Sequence, residues 1–316
     1  MRDICSLKPS LGSWPGQDVI PVNYDQDTCG PMARTVGDVE LLHRIASGRN
    51  KTTADVSRSL RVGYLGKSIS IEFVFFLCFY VLSSGESIEG NLLIQSLTPF
   101  LPLTTLVDLN ADEVLGELIS SVLDSSNQCN TSFRDILCYA LARDIPAYLS
   151  SHSSFYSHQT LASLIEWNSS HPEYIPYGQS LFLRAQNSSI TAEVYNKYKQ
   201  TINESFQKLV EYLRKTYNLD CLLTIGNDDI LTCTTICGIP RANLTLDYYD
   251  PKHQQLNVVA VGFASGDDFL LLRLLQRFEK ANLQAGMIDI RTRFQKYVQY
   301  PFKSIYEKLL NLVKHK

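Results

Sequence analysis

The chain has 316 residues, of which 45% are apolar and 19% are charged, and its formal net charge is −3. This apolar fraction excludes a wholly disordered chain. No basic stripe runs along the sequence, so we expect no nucleic-acid partner. The longest apolar run covers residues 73–82. It is shorter than the roughly 20 residues that a helix needs to span a bilayer, so we expect no membrane span.

The first third of the chain predicts a loop, a helix and a strand. Residues 8–33 contain many Gly and Pro residues and are interpreted as a loop. Thr35 and Asp38 fit a capping box, in which the Asp reaches back to the start of the helix. Val36, Val39, Leu42 and Ile45 then follow at helical spacing up to Gly48, which suits a helix end. Leu60–Leu65 alternates and predicts a strand.

The remaining patterns predict more helices than strands. Helices are expected at 111–124, 132–150, 160–167, 190–217 and from Asp267 or Asp268 to Glu279, and Pro146 is expected to bend or end the second of these. Strands are expected at Cys221–Ile225 and at 256–263. This alternation predicts an α/β fold with a mixed sheet flanked by helices. Because no linker divides the chain, we expect one domain over residues 1–284 and an amphipathic helical tail at 285–316.

Local motifs of catalysis and metal binding are absent from the sequence. No GxSxG, Walker, GxGxxG or HExxH motif occurs. Cys233 and Cys237 have CxxxC spacing without a neighbouring His, so we expect no metal site and interpret the cysteines as small buried apolar residues. The acidic pair Asp267 and Asp268 is interpreted as turn and cap residues.

A family resemblance rests on several ordered blocks. They are LKPSLG at 7–12, VIP at 19–21, QDTCGPMARTVGD at 26–38, TLASLIEWN at 160–168, YGQSLF at 177–182 and CGIP at 237–240. Near the end, Gly262 is followed by Asp268 where the family usually has Glu, and then by an LL…FE helix. Together these blocks resemble the amidase signature family from about residue 5 to 282. RANLT at 241–245 replaces the family's small-residue SxPxG-like run, which puts one wall of the substrate pocket in question.

The resemblance implies hydrolysis of the C–N bond of a small-molecule carboxamide, with no cofactor. In that family a nucleophilic Ser is activated through a second Ser, which is bridged to a Lys, and backbone amides stabilise the oxyanion. These residues precede the LKPS segment, so the resemblance assigns no catalytic residue to this chain. We therefore expect the isolated chain to be an inactive C-terminal part of such a hydrolase. A non-catalytic binding or scaffold protein derived from an amidase is the alternative.

Two groups of residues are predicted to lie near the active centre. The signature residues are Asp27, Thr28, Gly30, Pro31 and Arg34, and the pocket-wall residues are Trp167, Tyr177, Gly238 and Pro240. Asp27 and Arg34 are expected to form a buried ion pair, with direct substrate contact as the alternative. Gly30 is expected to permit close approach or a positive φ, and Pro31 to set the entry of the helix.

An unusual apolar segment and the cellular compartment each have two interpretations. Residues 67–83 are hypothesised to translate a retained intron, and an insertion packed on the core is the alternative. The polar N-terminus favours a cytoplasmic location. Six N-x-S/T sequons nevertheless allow a secretory pathway if an upstream signal exists.

Overall fold

The computed structural model describes residues 4–49, 58–65, 101–123, 129, 131–152, 154, 160–225, 230–246 and 256–284. The described strands are β1 (Cys5–Lys8), β2 (Met32–Ala33), β3 (Leu60–Leu65), β4 (Thr104–Asp108), β5 (Cys221–Ile225), β6 (Arg241–Leu246) and β7 (Leu256–Val261). The described α-helices are α1 (Val36–Ser47), α2 (Glu113–Leu123), α3 (Phe133–Ser151), α4 (Leu161–Ser170), α5 (Ser180–Gln186), α6 (Ala192–Tyr217), α7 (Ile230–Ile236) and α8 (Asp268–Gln284). The predicted insertion at 67–83 and the tail at 285–316 lie outside these residues.

The seven strands form one mixed sheet in the order β2-β1-β6-β7-β5-β3-β4. β4, β3 and β5 run parallel, whereas every other neighbouring pair is antiparallel. The predicted α/β fold with a mixed sheet is therefore confirmed.

Helices cover both faces of this sheet. On one face, α1 and α8 pack against alternate strand residues such as Val62, Leu223 and Val258. On the other face, α2, α6 and α7 pack against the intervening residues, such as Leu222 and Val259. Because both faces of the central strands are buried, these strands are apolar without a polar face. A third, smaller apolar cluster joins α3, α4 and α5.

Capping residues fix several helix starts. The Thr35 hydroxyl accepts from the Asp38 N–H, as expected, while the Asp38 carboxylate accepts from the Thr35 hydroxyl and not from the Thr35 backbone. Ser132 and Asp135 form a full capping box at α3. Gly48 ends α1 with a φ of 67°, in the left-handed region. Thr160 caps α4, so this helix starts one residue later than predicted and ends at Ser170.

One helix prediction is wrong, and for another the structure excludes one of two alternatives. Leu42 and Ile45 are exposed, and His43 is buried beside Val36 and Val39. A strict spacing of three residues drifts around a helix of 3.6 residues per turn, so the buried stripe moves to the fourth position. Pro146 also lies inside α3 without ending it, because the side chains that follow it in the helix are packed in the third cluster.

Several short elements were not predicted. They are β1 and β2 at the ends of the expected loop 8–33, and β4, α5, α7 and β6. None of the described helices is long and apolar enough to cross a membrane. No disulfide joins the described cysteines, of which Cys5, Cys138, Cys221 and Cys233 are buried.

Candidate functional site

Three loops meet at one end of the sheet. β1 ends at Lys8, which lies opposite Arg241 at the start of β6. Arg241 in turn lies opposite Val261 at the end of β7. The antiparallel register therefore brings together the loops that begin at Pro9, end at Pro240 and begin at Gly262. We call this region the three-loop junction.

Backbone contacts join the first two loops of the junction. The Leu11 N–H donates to the Gly238 carbonyl at 3.0 Å. Gly238 has a φ of +68°, and a Cβ added there would lie 2.9 Å from the Leu11 Cβ. Gly238 is thus required both by its backbone conformation and by close packing. The Pro240 carbonyl accepts from the Gly262 N–H at 3.0 Å, and this bond joins the third loop to the second.

A buried carboxylate holds the first and third loops together. Asp268 accepts from the Ser10 N–H at 2.7 Å and from the Ser10 hydroxyl at 2.6 Å. The Ser10 Oγ accepts from the Gly266 N–H at 2.8 Å. Ser10 and Asp268 are 2% and 0% exposed. Asp268 is the first residue of α8, and its carboxylate is a buried anchor for Ser10 rather than the helix cap that the sequence predicted.

His43 and Trp14 extend this buried network. The Trp14 Nε1–H donates to the His43 Nδ1 at 2.8 Å, and the His43 Nε2 lies 3.8 Å from an Asp268 oxygen. Burial lowers the pKa of His43, and the negative charge of Asp268 opposes that effect. Because the His43 Nδ1 accepts a hydrogen bond, it carries no proton. The proton of the neutral imidazole is therefore on Nε2, the nitrogen that faces Asp268. Sequence reasoning missed His43 and Ser10 because neither stands in a recognisable catalytic motif.

Two basic side chains lie on the sheet face beside the junction. The Lys8 Nζ donates to the Ile239 carbonyl at 3.0 Å and to the Pro9 carbonyl at 3.3 Å. Burial, together with the charge of Arg241, lowers the pKa of Lys8 to about 8. The Arg241 Nη1 donates to the Leu231 carbonyl at 2.6 Å and to the Thr235 hydroxyl at 3.0 Å.

Asp27 and Arg34 do not form the expected buried ion pair. Arg34 is exposed. An Asp27 carboxylate oxygen accepts from the backbone N–H groups of Val22 and Asn23 at 2.7 and 2.8 Å. A carboxylate can satisfy neighbouring amides in this way without a cation, and Asp27 thereby closes the turn of its own loop. The predicted pair is therefore wrong, although the expectation that Asp27 fixes the loop agrees with this geometry.

The other signature residues lie close to β1. Gly30 meets the expectation of close approach, because a Cβ there would lie 2.0 Å from the Leu7 carbonyl oxygen. The Pro31 carbonyl accepts from the Leu7 N–H, and Pro31 precedes β2 rather than α1, so its predicted role at the helix entry is wrong. The Thr28 hydroxyl donates to the Cys29 carbonyl. Asp27 and Thr28 also line a small cleft with Trp14 and Val19.

The four predicted pocket-wall residues lie in two separate places. Gly238 and Pro240 belong to the three-loop junction. Trp167 lies on α4, where its ring stacks on His171 with centroids 4.3 Å apart. Tyr177 precedes α5 and is 99% exposed. The structure therefore does not place Tyr177 in a described pocket, and a wall role for Trp167 and Tyr177 stays a prediction.

Comparison with known proteins identifies amidases. No protein-family model matches the chain. A probable amidase of Arabidopsis thaliana is 22% identical over 263 residues, which are 78% of this chain and 47% of that protein. An indoleacetamide hydrolase of Rhizobium radiobacter is 39% identical over 61 residues, which are 19% of this chain and 13% of that protein.

Solved structures show the same fold. An amidase family protein from Bacillus anthracis has a TM-score of 0.62 at 20% identity, covering 91% of this chain and 54% of that one. The peptide amidase of Stenotrophomonas maltophilia also has a TM-score of 0.62, at 17% identity, covering 89% of this chain and 58% of that one. These matches support the resemblance to the amidase signature family that the ordered sequence blocks indicate. The chain spans about half the length of the amidases that it matches along most of its own length.

Proposed function

We propose that the protein containing these 316 residues hydrolyses the C–N bond of a carboxamide through an acyl-enzyme. In this reaction a serine oxygen attacks the amide carbon, the amine leaves with a proton, and water releases the acid. The observation that carries the proposal is the position of the LKPS and CGIP blocks. In this chain, whose fold resembles that of solved amidases, both blocks lie next to each other at the three-loop junction.

We further propose that the Lys, the bridging Ser and the nucleophilic Ser come from sequence outside these 316 residues. The hydrogen-bond partners of Ser10 support this division, since its hydroxyl contacts Asp268 and Gly266 and is buried. A hydroxyl that donates to a buried carboxylate and is closed to solvent is unsuited to attack a substrate. Lys8 donates to two backbone carbonyls, and among the described residues no serine accepts from its ammonium group.

Exposed apolar side chains support the presence of a further packed segment. Met32 on the edge strand β2 is 70% exposed, and Leu41 and Ile45 on α1 are 56% and 69% exposed. Large apolar side chains gathered near one sheet edge are typical of a surface that another part of a protein covers. The proposal therefore predicts that a longer protein is more soluble than the isolated chain.

The test compares the 316-residue chain with the longer protein encoded by its full transcript. Both are incubated with a panel of aliphatic and aryl carboxamides, and ammonia release is measured with and without hydroxylamine. We expect the longer protein to release ammonia and to form hydroxamates, which report an acyl-enzyme. We expect the isolated chain to do neither.

A fluorophosphonate probe locates the nucleophile independently of substrate choice. The probe labels an activated serine in the longer protein, and peptide mass spectrometry identifies the labelled residue. We expect the label outside residues 1–316. A label on Ser10 or another serine of this chain would contradict the proposed division of the site. Absence of both label and turnover in a folded longer protein would favour a non-catalytic binding protein.

A further inference from the structure

Lys8 and Arg241 face the same side of the sheet from directly opposite positions. They are partners in the antiparallel register of β1 and β6. The side chains of such partners project to one face with Cβ atoms about 5 Å apart. Like charges in this arrangement repel each other and destabilise the sheet.

No carboxylate neutralises this pair within the part of the chain that the structure describes. The described hydrogen bonds of both side chains end on carbonyl and hydroxyl oxygens, which are uncharged. Asp268, whose charge acts on Lys8 and opposes the effect of burial, is itself held by both donors of Ser10. The pair therefore has neutral acceptors but no described counter-ion within 4 Å.

Several other basic residues of the described chain have a carboxylate partner. Arg143 lies 2.6 Å from Asp144, Lys199 lies 3.0 Å from Asp25, and Arg184 lies 2.7 Å from a carboxylate of α3. These groups are paired although they are more than a quarter exposed. Lys8 and Arg241, which lie opposite each other, have no such carboxylate partner among the described residues, and this points to an anion that is not a part of the described fold.

The surroundings of the pair are also polar. Ser6 and Asn243 are register partners one step along the same two strands, and their side chains lie on the same face. On the neighbouring strands, the same face carries buried apolar residues such as Val261 and Leu222. The polar surface is thus a strip of four residues on β1 and β6, and we call it the cationic strip.

We propose that the cationic strip binds the carboxylate of a small organic anion between Lys8 and Arg241. The Nη1 of Arg241 is committed to α7, and its Nε and Nη2 groups have no hydrogen-bond partner among the described residues. These two groups form the edge of the guanidinium that matches both oxygens of a carboxylate. Lys8 adds a point charge beside it. The proposal is independent of the amide hydrolysis proposed above, because it requires no turnover.

The test measures the titration of Lys8 in the folded protein. Lysines are reductively methylated with ¹³C-formaldehyde, and the Lys8 resonance, assigned by its absence in Lys8→Met, is followed against pH with and without sodium acetate. We expect acetate to raise the pKa of Lys8 from about 8, because a bound anion stabilises the ammonium form. Sodium chloride at the same ionic strength is the control for screening.

Variants connect the signal to both side chains. We expect Arg241→Lys, which keeps the charge but loses the planar edge, to weaken acetate binding by about tenfold, as for loss of a charge-assisted hydrogen bond. Lys208→Met, on an exposed position of α6, should bind acetate as the unaltered protein does. Should Arg241→Lys fail to fold, the comparison of Lys8→Met with Lys208→Met by calorimetric titration with acetate remains decisive.

Three outcomes overturn the proposal. An unchanged Lys8 titration in acetate would exclude a carboxylate ligand at this position. Binding of inorganic phosphate without binding of acetate would assign the strip to phosphate chemistry. A Lys8 pKa in the longer protein that is already raised and insensitive to acetate would show that a protein carboxylate fills the position in place of a free ligand.

Discussion

The two faces of β1 and β6 have opposite chemistry. On one face, Leu7, Ala242 and Leu244 are at most 2% exposed and pack with α1 and α8. On the other, the four side chains of the cationic strip are polar and partly exposed. Because successive residues of a strand lie on opposite faces of the sheet, neighbours in sequence have different surroundings. The apolar face stabilises this sheet edge, and the cationic face is left available for recognition.

The largest expected effect lies on the apolar face. Leu244→Ala removes a side chain that is 2% exposed and leaves a cavity beneath α8. We expect the free energy of unfolding to fall by about 2–5 kcal/mol. Asn243→Ala, one residue earlier and on the cationic face, should change it by less than about 1 kcal/mol. Urea denaturation followed by circular dichroism measures both variants.

The comparison between the two faces fails if these neighbouring variants behave alike. Equal losses would show that the cationic face is packed as tightly as the apolar face. Thr245→Val serves as a second control, because Thr245 is buried although it lies on the face of the cationic strip. A strong loss there with none at Asn243 would place the limit of the packed region between these two residues.

The next effect concerns the buried network at the three-loop junction. Ser10→Ala removes the hydroxyl that donates to Asp268 in a site closed to solvent, although the backbone N–H of residue 10 still donates to it. The substitution also leaves the Gly266 N–H without its acceptor. We expect a loss of about 1–3 kcal/mol in the free energy of unfolding, the cost of unsatisfied buried polar groups.

Ser13→Ala is the matched control for Ser10→Ala. The Ser13 Oγ is buried without a hydrogen-bond partner among the described residues. Removing that hydroxyl should be neutral or slightly stabilising, because no bond is lost and a desolvated group disappears. A larger loss at Ser13 than at Ser10 would refute the importance of the Ser10–Asp268 contact.

Much of the fold follows from the sequence, and the exceptions have physical causes. Helix periodicity and capping residues located α1, α3 and α6 to within a few residues. β1 and β2 were missed because they are four and two residues long and flanked by Gly and Pro. β1 lies between β2 and β6, and its partner β6 is more than 200 residues away, so no local pattern indicates this pairing.

The candidate site follows from the sequence only in part. The signature blocks identified Gly30, Gly238 and Pro240, whose backbone roles depend on close approach between loops. The contacts of Ser10 with Asp268 and of Trp14 with His43 join residues that are far apart in the chain. The cationic strip was missed for a similar reason, because Lys8 and Arg241 become neighbours only through the strand register.

A smaller expected effect is the contribution of Lys8, on the cationic face, to the pH dependence of the free energy of unfolding. The folded chain releases the Lys8 proton near pH 8, whereas the unfolded chain keeps it to about pH 10.5. Between these values the unfolded state binds more protons, so the free energy of unfolding rises with pH. After allowance for solvent access, we expect Lys8 to contribute about 1 kcal/mol to this rise. Lys8→Met should remove that contribution, as measured by urea denaturation across the same pH range.

The smallest expected effect on stability is at Tyr177, on the helical unit that carries α4 and α5. Its side chain is 99% exposed, so Tyr177→Ala should change the free energy of unfolding by less than about 0.5 kcal/mol. Because stability is then unaffected, any change in KM of the longer protein for an aryl carboxamide reports contact with substrate. Leu183→Ala, also exposed on α5, is the control for non-specific effects. An unchanged KM in both variants would remove Tyr177 from the pocket wall and leave Trp167, Gly238 and Pro240 as its predicted members.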